Sequence, residues 1–316
     1  MDKIFKAINK NIRNFKIAYS KFLTSLGLKI VTRTNMRPFV ALKSNIAYGK
    51  NKLQKYDIVY PTNKSGKLPV IFYVHGGSWC GGDKYGYNEY LSQLAELGYI
   101  CVNINYRLMP KVSLRVTMLD CIRAIKHFEQ HNNIQLENNA TITGDLDKTF
   151  MIGDSAGAHI VSLICGKLTT NKIAINIKPR GLGLYYGVYD FNNLQIDPSP
   201  ILRELYEYLK INTKNLKYFC KDISTTTYVS SKFPPCFITT GQIDKLHYQS
   251  SIFKNLISLN NVEFEYLCFE KNRKDGAHAF LNLLNLKSSK EAFEKLTKFF
   301  NKQLTKGKYD KKEWYN

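Results

Sequence analysis

Past Lys52, short β-rich runs alternate with stretches of helical period, and no other feature limits the fold as much. Candidate strands are Tyr56–Tyr60, Pro69–Val74, Tyr99–Asn105, Thr149–Gly153, Gly181–Gly187, Pro235–Thr240 and Val262–Phe269. Helical patterns fall near 86–97, 114–131, 156–169, 245–259 and 288–304. Runs such as Pro69–Val74 and Phe150–Ile152 are apolar without a break, as strands buried on both faces require. Strands of this kind separated by helices build an α/β fold, a mostly parallel, doubly wound sheet with helices on both faces. Residues 191–232 break the rhythm between two strands and read as an insertion with a helix around 201–210, a small helical cap. The expected organisation is an N-terminal segment over 1–50, the sheet domain over 51–305 and a basic tail over 306–316.

A chain of 316 residues that is 44% hydrophobic and 13% aromatic can bury a large core, which excludes disorder. No stretch reaches the roughly 18 uninterrupted apolar residues of a membrane-spanning helix. The seven cysteines lack CxxC spacing and mostly sit inside apolar runs. They read as small buried hydrophobes in a reducing, cytoplasmic setting, and not as a disulfide framework or zinc site. The net charge is +21, but only nine of the 46 basic residues are arginine. The positive charge is scattered through an Asn- and Ile-rich chain without a nucleic-acid-binding module, so no nucleic-acid partner is expected. One region is locally extreme: residues 1–35 hold eight Lys or Arg and a single acid, Asp2. There Phe5, Ile8, Ile12, Phe15, Tyr19, Phe22 and Leu26 recur at steps of three and four, one face of an amphipathic helix. Lysines at 6, 10, 16 and 21 interrupt any signal-peptide core. The helix either packs on the body as part of the cap or lies on an anionic membrane surface, a peripheral contact through residues 1–30.

Chemistry concentrates in Gly153-Asp154-Ser155-Ala156-Gly157, which follows the apolar run Phe150–Ile152 and precedes the helical stretch from Ala158 to Lys167. G-x-S-x-G between a strand and a helix is a nucleophile elbow, whose glycines let strand and helix approach and leave the Ser155 hydroxyl exposed above the sheet. A serine hydroxyl needs a base and an orienting acid, which follow the serine as acid and then His on this type of sheet. His159 rides the elbow helix and cannot readily swing back, and His247 lies at the start of a later helix. His278 stands in a Gly-containing loop just after the last strand, at the carboxyl edge where such sheets bind ligands. For the acid, strand order favours Asp244 over Asp190, with Asp275 too near His278 in sequence to be a strong third. Upstream, His75-Gly76-Gly77-Ser78-Trp79 ends a buried strand, and Gly76, Gly77 and Ala156 would offer N–H groups to a developing oxyanion.

His75-Gly76-Gly77, Asn105-Tyr106-Arg107-Leu108-Met109-Pro110, Gly153-Asp154-Ser155-Ala156-Gly157 and Gly241-x-x-Asp244-x-Leu246 occur in order along the chain. Together they resemble an α/β-hydrolase of the carboxylesterase and hormone-sensitive-lipase-like group, over roughly residues 55–300. The resemblance implies a Ser155, Asp244, His278 triad, an oxyanion hole of Gly76, Gly77 and Ala156, and structural roles for His75 and Arg107 beneath the site. His-Gly-Gly continues with Ser78-Trp79 where the lipase-like branch usually has a further glycine. That variant is similar to small bacterial esterases and to kynurenine-formamidase-like enzymes.

The expected activity is hydrolysis of a small-molecule carboxylic ester with a modest apolar acyl or aryl group through an acyl-enzyme. The alternatives are an aryl formamide hydrolase and a catalytically silent binding protein on the same fold. Trp79 and the Tyr206, Tyr208 and Tyr218 of the insertion are candidate pocket walls. His127 and His131 have metal-ligand spacing but no third ligand, and no phosphate or dinucleotide loop is present, so no metal and no cofactor are expected.

Overall fold

The computed structural model describes residues 35–306, so the basic segment over 3–27 and nearly all of the C-terminal tail lie outside it. Nine strands form one sheet. They are β1 (Val40–Ala47), β2 (Lys55–Pro61), β3 (Gly66–Val74), β4 (Ile100–Ile104), β5 (Asn133–Gln135), β6 (Thr141–Asp154), β7 (Pro179–Tyr185), β8 (Cys236–Gly241) and β9 (Phe264–Phe269). Their order across the sheet is β1-β2-β4-β3-β6-β7-β8-β9, with β5 pairing to β6. From β4 to β9 every neighbouring pair on that path is parallel, while β1, β2 and β5 pair antiparallel.

The central strands sort their side chains by alternation. Val70, Phe72 and Val74 of β3 face one core, and Ile71 and Tyr73 face the other. Met151 and Leu182 join the first core, and Phe150, Ile152 and Phe237 the second. Both faces are therefore apolar, and each needs a helical layer. On the first face lie α2 (Leu114–Gln130), α3 (Ala156–Thr169) and α6 (His247–Leu259). On the second lie α1 (Asn88–Glu96) and α7 (Lys287–Thr305), the latter through Ala292, Leu296, Phe299 and Phe300. All fourteen residues of α3 are buried, so the elbow helix is enclosed all round.

The insertion carries two helices where the sequence suggested one, α4 (Pro200–Asn212) and α5 (Leu216–Ile223). The sheet also begins earlier than expected. β1 lies within the stretch read as the N-terminal segment, a mostly exposed edge strand with an irregularity between Lys43 and Ile46. β6 starts at Thr141 and not at Thr149, because its polar first half pairs with Gly66–Pro69 and with β5.

Beneath the site, Arg107 forks onto Asp120 with Nε at 2.7 Å and Nη2 at 2.8 Å, and its backbone N–H reaches the same carboxylate at 3.1 Å. Gln54 adds a fourth donor at 2.9 Å. These donors hold the Asp120 carboxyl below its ordinary pKa despite burial. The pair pins the Asn105–Pro110 segment to α2.

Candidate active site

At the carboxyl end of β6 the backbone turns sharply, and Ser155 sits at φ 51°, ψ −115°, a conformation rarely adopted by residues with a side chain. Two contacts hold it there. The Ser155 N–H donates to the Tyr185 carbonyl of β7 at 2.8 Å, and the His159 N–H donates to the Ser155 carbonyl at 3.2 Å. The flanking glycines are steric necessities: a Cβ at Gly157 would fall on the Val74 carbonyl, and one at Gly153 on Gly157.

His278 lies with its Nε2 3.1 Å from Ser155 Oγ and its Nδ1 2.8 Å from Asp244 Oδ2. An ionised carboxylate only accepts, so Nδ1 carries the hydrogen and Nε2 is left to accept from the serine hydroxyl. The other Asp244 oxygen accepts the Leu246 N–H at 2.8 Å. Tyr186 flanks the imidazole, ring centroids 4.7 Å apart, and its hydroxyl accepts the Leu281 N–H at 3.3 Å, bracing the loop behind His278. Gly241, at the end of β8, packs so closely on the Gly276 carbonyl that no Cβ fits, which seats the acid-bearing turn against the His278 loop.

The rival groups are engaged elsewhere. Asp190 accepts from Asn192, Asn193 and Thr226 within the insertion. Asp275 is held by the Arg273 fork, which pulls its pKa down to about 2. His247 approaches Ser251 and Cys268, and His159 is bonded to Trp79 and Ile223. His127 and His131 stack on one another at 4.3 Å, and among the described residues no group of three or more metal-ligating side chains forms.

The turn after β3 departs from expectation at Gly76. Its N–H donates to Asp154 Oδ1 at 2.7 Å, so it is not available to an oxyanion. The same oxygen accepts the Tyr73 hydroxyl at 2.8 Å, and Oδ2 accepts the Tyr87 hydroxyl at 3.1 Å. Sequence reading passed over Asp154 because it fills an unspecified position of G-x-S-x-G; an acid between two buried strands' ends was the available signal. Gly77 lies in this turn, and Ala156 stands at the first position of α3, where a helix leaves its N–H groups unpaired. His75 is buried under this turn, stacked on Tyr106 at 4.4 Å, with its Nδ1 donating to the Gly76 carbonyl at 2.7 Å.

Among the candidate pocket walls, Trp79 is 3% exposed and packs against His159 and Phe191, so it supports the turn from within. Tyr208 is half-buried and lies near Cys80 of the same turn. Tyr206 lines a cleft of about 230 Å³ with Gln195, Pro200, Arg203, Glu204 and Glu207, and Tyr218 is exposed.

Residues 56–256 match the BD-FAE family. The chain belongs to that family. Among curated relatives it is 33% identical over 193 residues to LipM of Mycobacterium tuberculosis, named a probable carboxylic ester hydrolase, covering 58% of this chain and 42% of LipM. It is 27% identical over 148 residues to the kynurenine formamidase of Salmo salar, 46% of each chain. The chain thus spans about half the length, or less, of the curated relatives it matches. Esterase B from Lactobacillus rhamnosis superposes with a TM-score of 0.80 at 18% identity, over 94% of this chain and 96% of that one. That likeness fixes the fold of this BD-FAE member as an α/β-hydrolase sheet, as the motif order implied. No helix among the described residues is long and apolar enough to cross a membrane.

Proposed function

We propose that this BD-FAE family member is a serine hydrolase that cleaves a small carboxylic ester through an acyl-enzyme. The observation that carries the reading is the single-direction hydrogen-bond chain from Ser155 Oγ through His278 to Asp244, with the elbow strain aimed at the same hydroxyl. His278 takes the Ser155 proton as Oγ bonds to the ester carbonyl carbon, and Asp244 holds the tautomer and stabilises the imidazolium. The resulting oxyanion is received by the N–H groups of Gly77 and Ala156, with that of Ser78 next along the turn replacing Gly76. As the tetrahedral centre collapses, the carbon–alkoxide bond breaks and His278 hands its proton to the leaving oxygen. Water repeats the sequence on the acyl-enzyme, returning the acid and free Ser155.

Ser155 and His278 are each more than nine-tenths buried, and the insertion contacts the turn beside them, through Phe191 on Trp79. Such enclosure favours a short acyl group. A second reading, aryl formamide hydrolysis, is supported by the formamidase relative and uses the same residues with an amine leaving group. A panel of p-nitrophenyl esters of increasing acyl length beside an N-formyl aryl amine separates the two. The ester reading expects kcat/KM to peak at short acyl chains and to exceed the formamide value by about 100-fold or more. Preference for the formamide overturns it in favour of the second reading.

A further inference from the structure

His159 lies one helical turn beyond Ser155, 1% exposed, and takes no part in the proton transfers above. Its Nδ1 stands 3.1 Å from Trp79 Nε1 and its Nε2 2.8 Å from the Ile223 carbonyl. An indole N–H only donates and a carbonyl only accepts, so these partners leave Nδ1 bare and place the hydrogen on Nε2. Phe191 closes the pocket at 4.6 Å from the imidazole centroid, and Trp79 meets it edge-on at 5.5 Å. Burial drives the His159 pKa down to about 4, which keeps this one neutral tautomer in place around neutral pH.

The two partners belong to different parts of the molecule. Ile223 is the last residue of α5, in the insertion. Trp79 ends a run of three residues at positive φ, Gly77 at 125°, Ser78 at 48° and Trp79 at 60°. Two successive residues with side chains in that region need outside contacts to stay there. Trp79 has one through its backbone, where its carbonyl accepts the Met109 N–H at 2.8 Å, and one through its side chain, where the indole meets His159.

We propose that His159 is a positioning residue that locks the Gly77–Trp79 turn to the insertion, so that the seating of α5 sets the aim of the oxyanion-binding N–H groups. This rests on the ester-hydrolase reading for its catalytic consequence, but not for the lock itself. The partners assign each variant a distinct outcome. His159→Phe keeps the ring and leaves the Trp79 N–H and Ile223 carbonyl without their partner. His159→Asn restores an acceptor at the Nδ1 position. Trp79→Phe removes the donor.

Two readouts test it, both at a temperature well below melting for every variant. Amide hydrogen exchange of the peptide covering residues 76–82 should quicken about tenfold in His159→Phe and return towards wild type in His159→Asn, while peptides from β8 stay unchanged. Turnover of p-nitrophenyl acetate should fall about tenfold in kcat in His159→Phe with KM within about twofold, and His159→Phe should cost nothing further in a Trp79→Phe background. Unchanged exchange at 76–82, or faster exchange spread equally over all peptides, overturns the lock. Faster exchange confined to 76–82 with wild-type kcat supports the lock and removes its catalytic role. A wild-type protein without Ser155-dependent turnover counts against the hydrolase reading, and the exchange result then decides the lock alone.

Discussion

The Asp154 carboxylate accepts the Gly76 N–H at 2.7 Å, so the residue just before Ser155 fastens the turn that follows β3. Tyr73 and Tyr87 donate to the same carboxylate, and burial raises its pKa against their pull. The elbow at Ser155 and the turn after β3 are in this way one hydrogen-bonded unit. Asp154→Ala removes the shared acceptor of three buried donors, and the expected loss is about 3 kcal/mol in stability, together with a fall in kcat. Urea unfolding checks the first: an unchanged midpoint removes the clamp from the account.

The acid is decided by Asp244→Asn against Asp190→Asn. The first should lower kcat by about four orders of magnitude, because an amide at Oδ2 favours the wrong imidazole tautomer. The second should stay within about tenfold of wild type, since the Asp190 carboxylate is engaged with Asn192, Asn193 and Thr226. Steady-state kinetics on one short ester compare them directly, and the reverse ranking reassigns the acid.

Acid should weaken the fold partly through His159. Its ordinary pKa of 6.5 falls to about 4 on folding, so between those values the unfolded chain binds a proton that the native one refuses. Stability from this group is complete above about pH 6.5 and drops by about 1.4 kcal/mol per pH unit as the pH falls, about 3 kcal/mol in all by pH 4. His75, whose pKa burial also lowers, acts in the same direction. Urea midpoints from pH 7 to pH 4.5 should slope less steeply in His159→Gln, by about one proton. Identical slopes contradict the buried neutral state.

The buried half of the molecule was the legible half. Strands apolar on both faces announce themselves, and α3 begins at Ala156 and ends at Thr169 as its pattern suggested. Ser155, His278 and Asp244 stood out because each follows a strand end, and the structure links them in one hydrogen-bonded chain. What escaped was set by partners far away in sequence. β1 is a mostly exposed edge strand, so Val40–Ala47 carries no apolar alternation to mark it, and its pairing with β2 alone makes it a strand. Gly76 looked like a free donor because its acceptor is 78 residues away. Trp79 looked like a pocket wall because His159, 80 residues on, turns its indole inward.

The central claim is that Ser155 is the nucleophile, and one variant tests it most directly. Ser155→Ala, measured with a fluorophosphonate probe and p-nitrophenyl acetate together, should show no labelling and a kcat lowered by about six orders of magnitude. Its unfolding midpoint should match wild type closely, because only a hydroxyl is removed. Labelling or turnover that persists in Ser155→Ala contradicts the account.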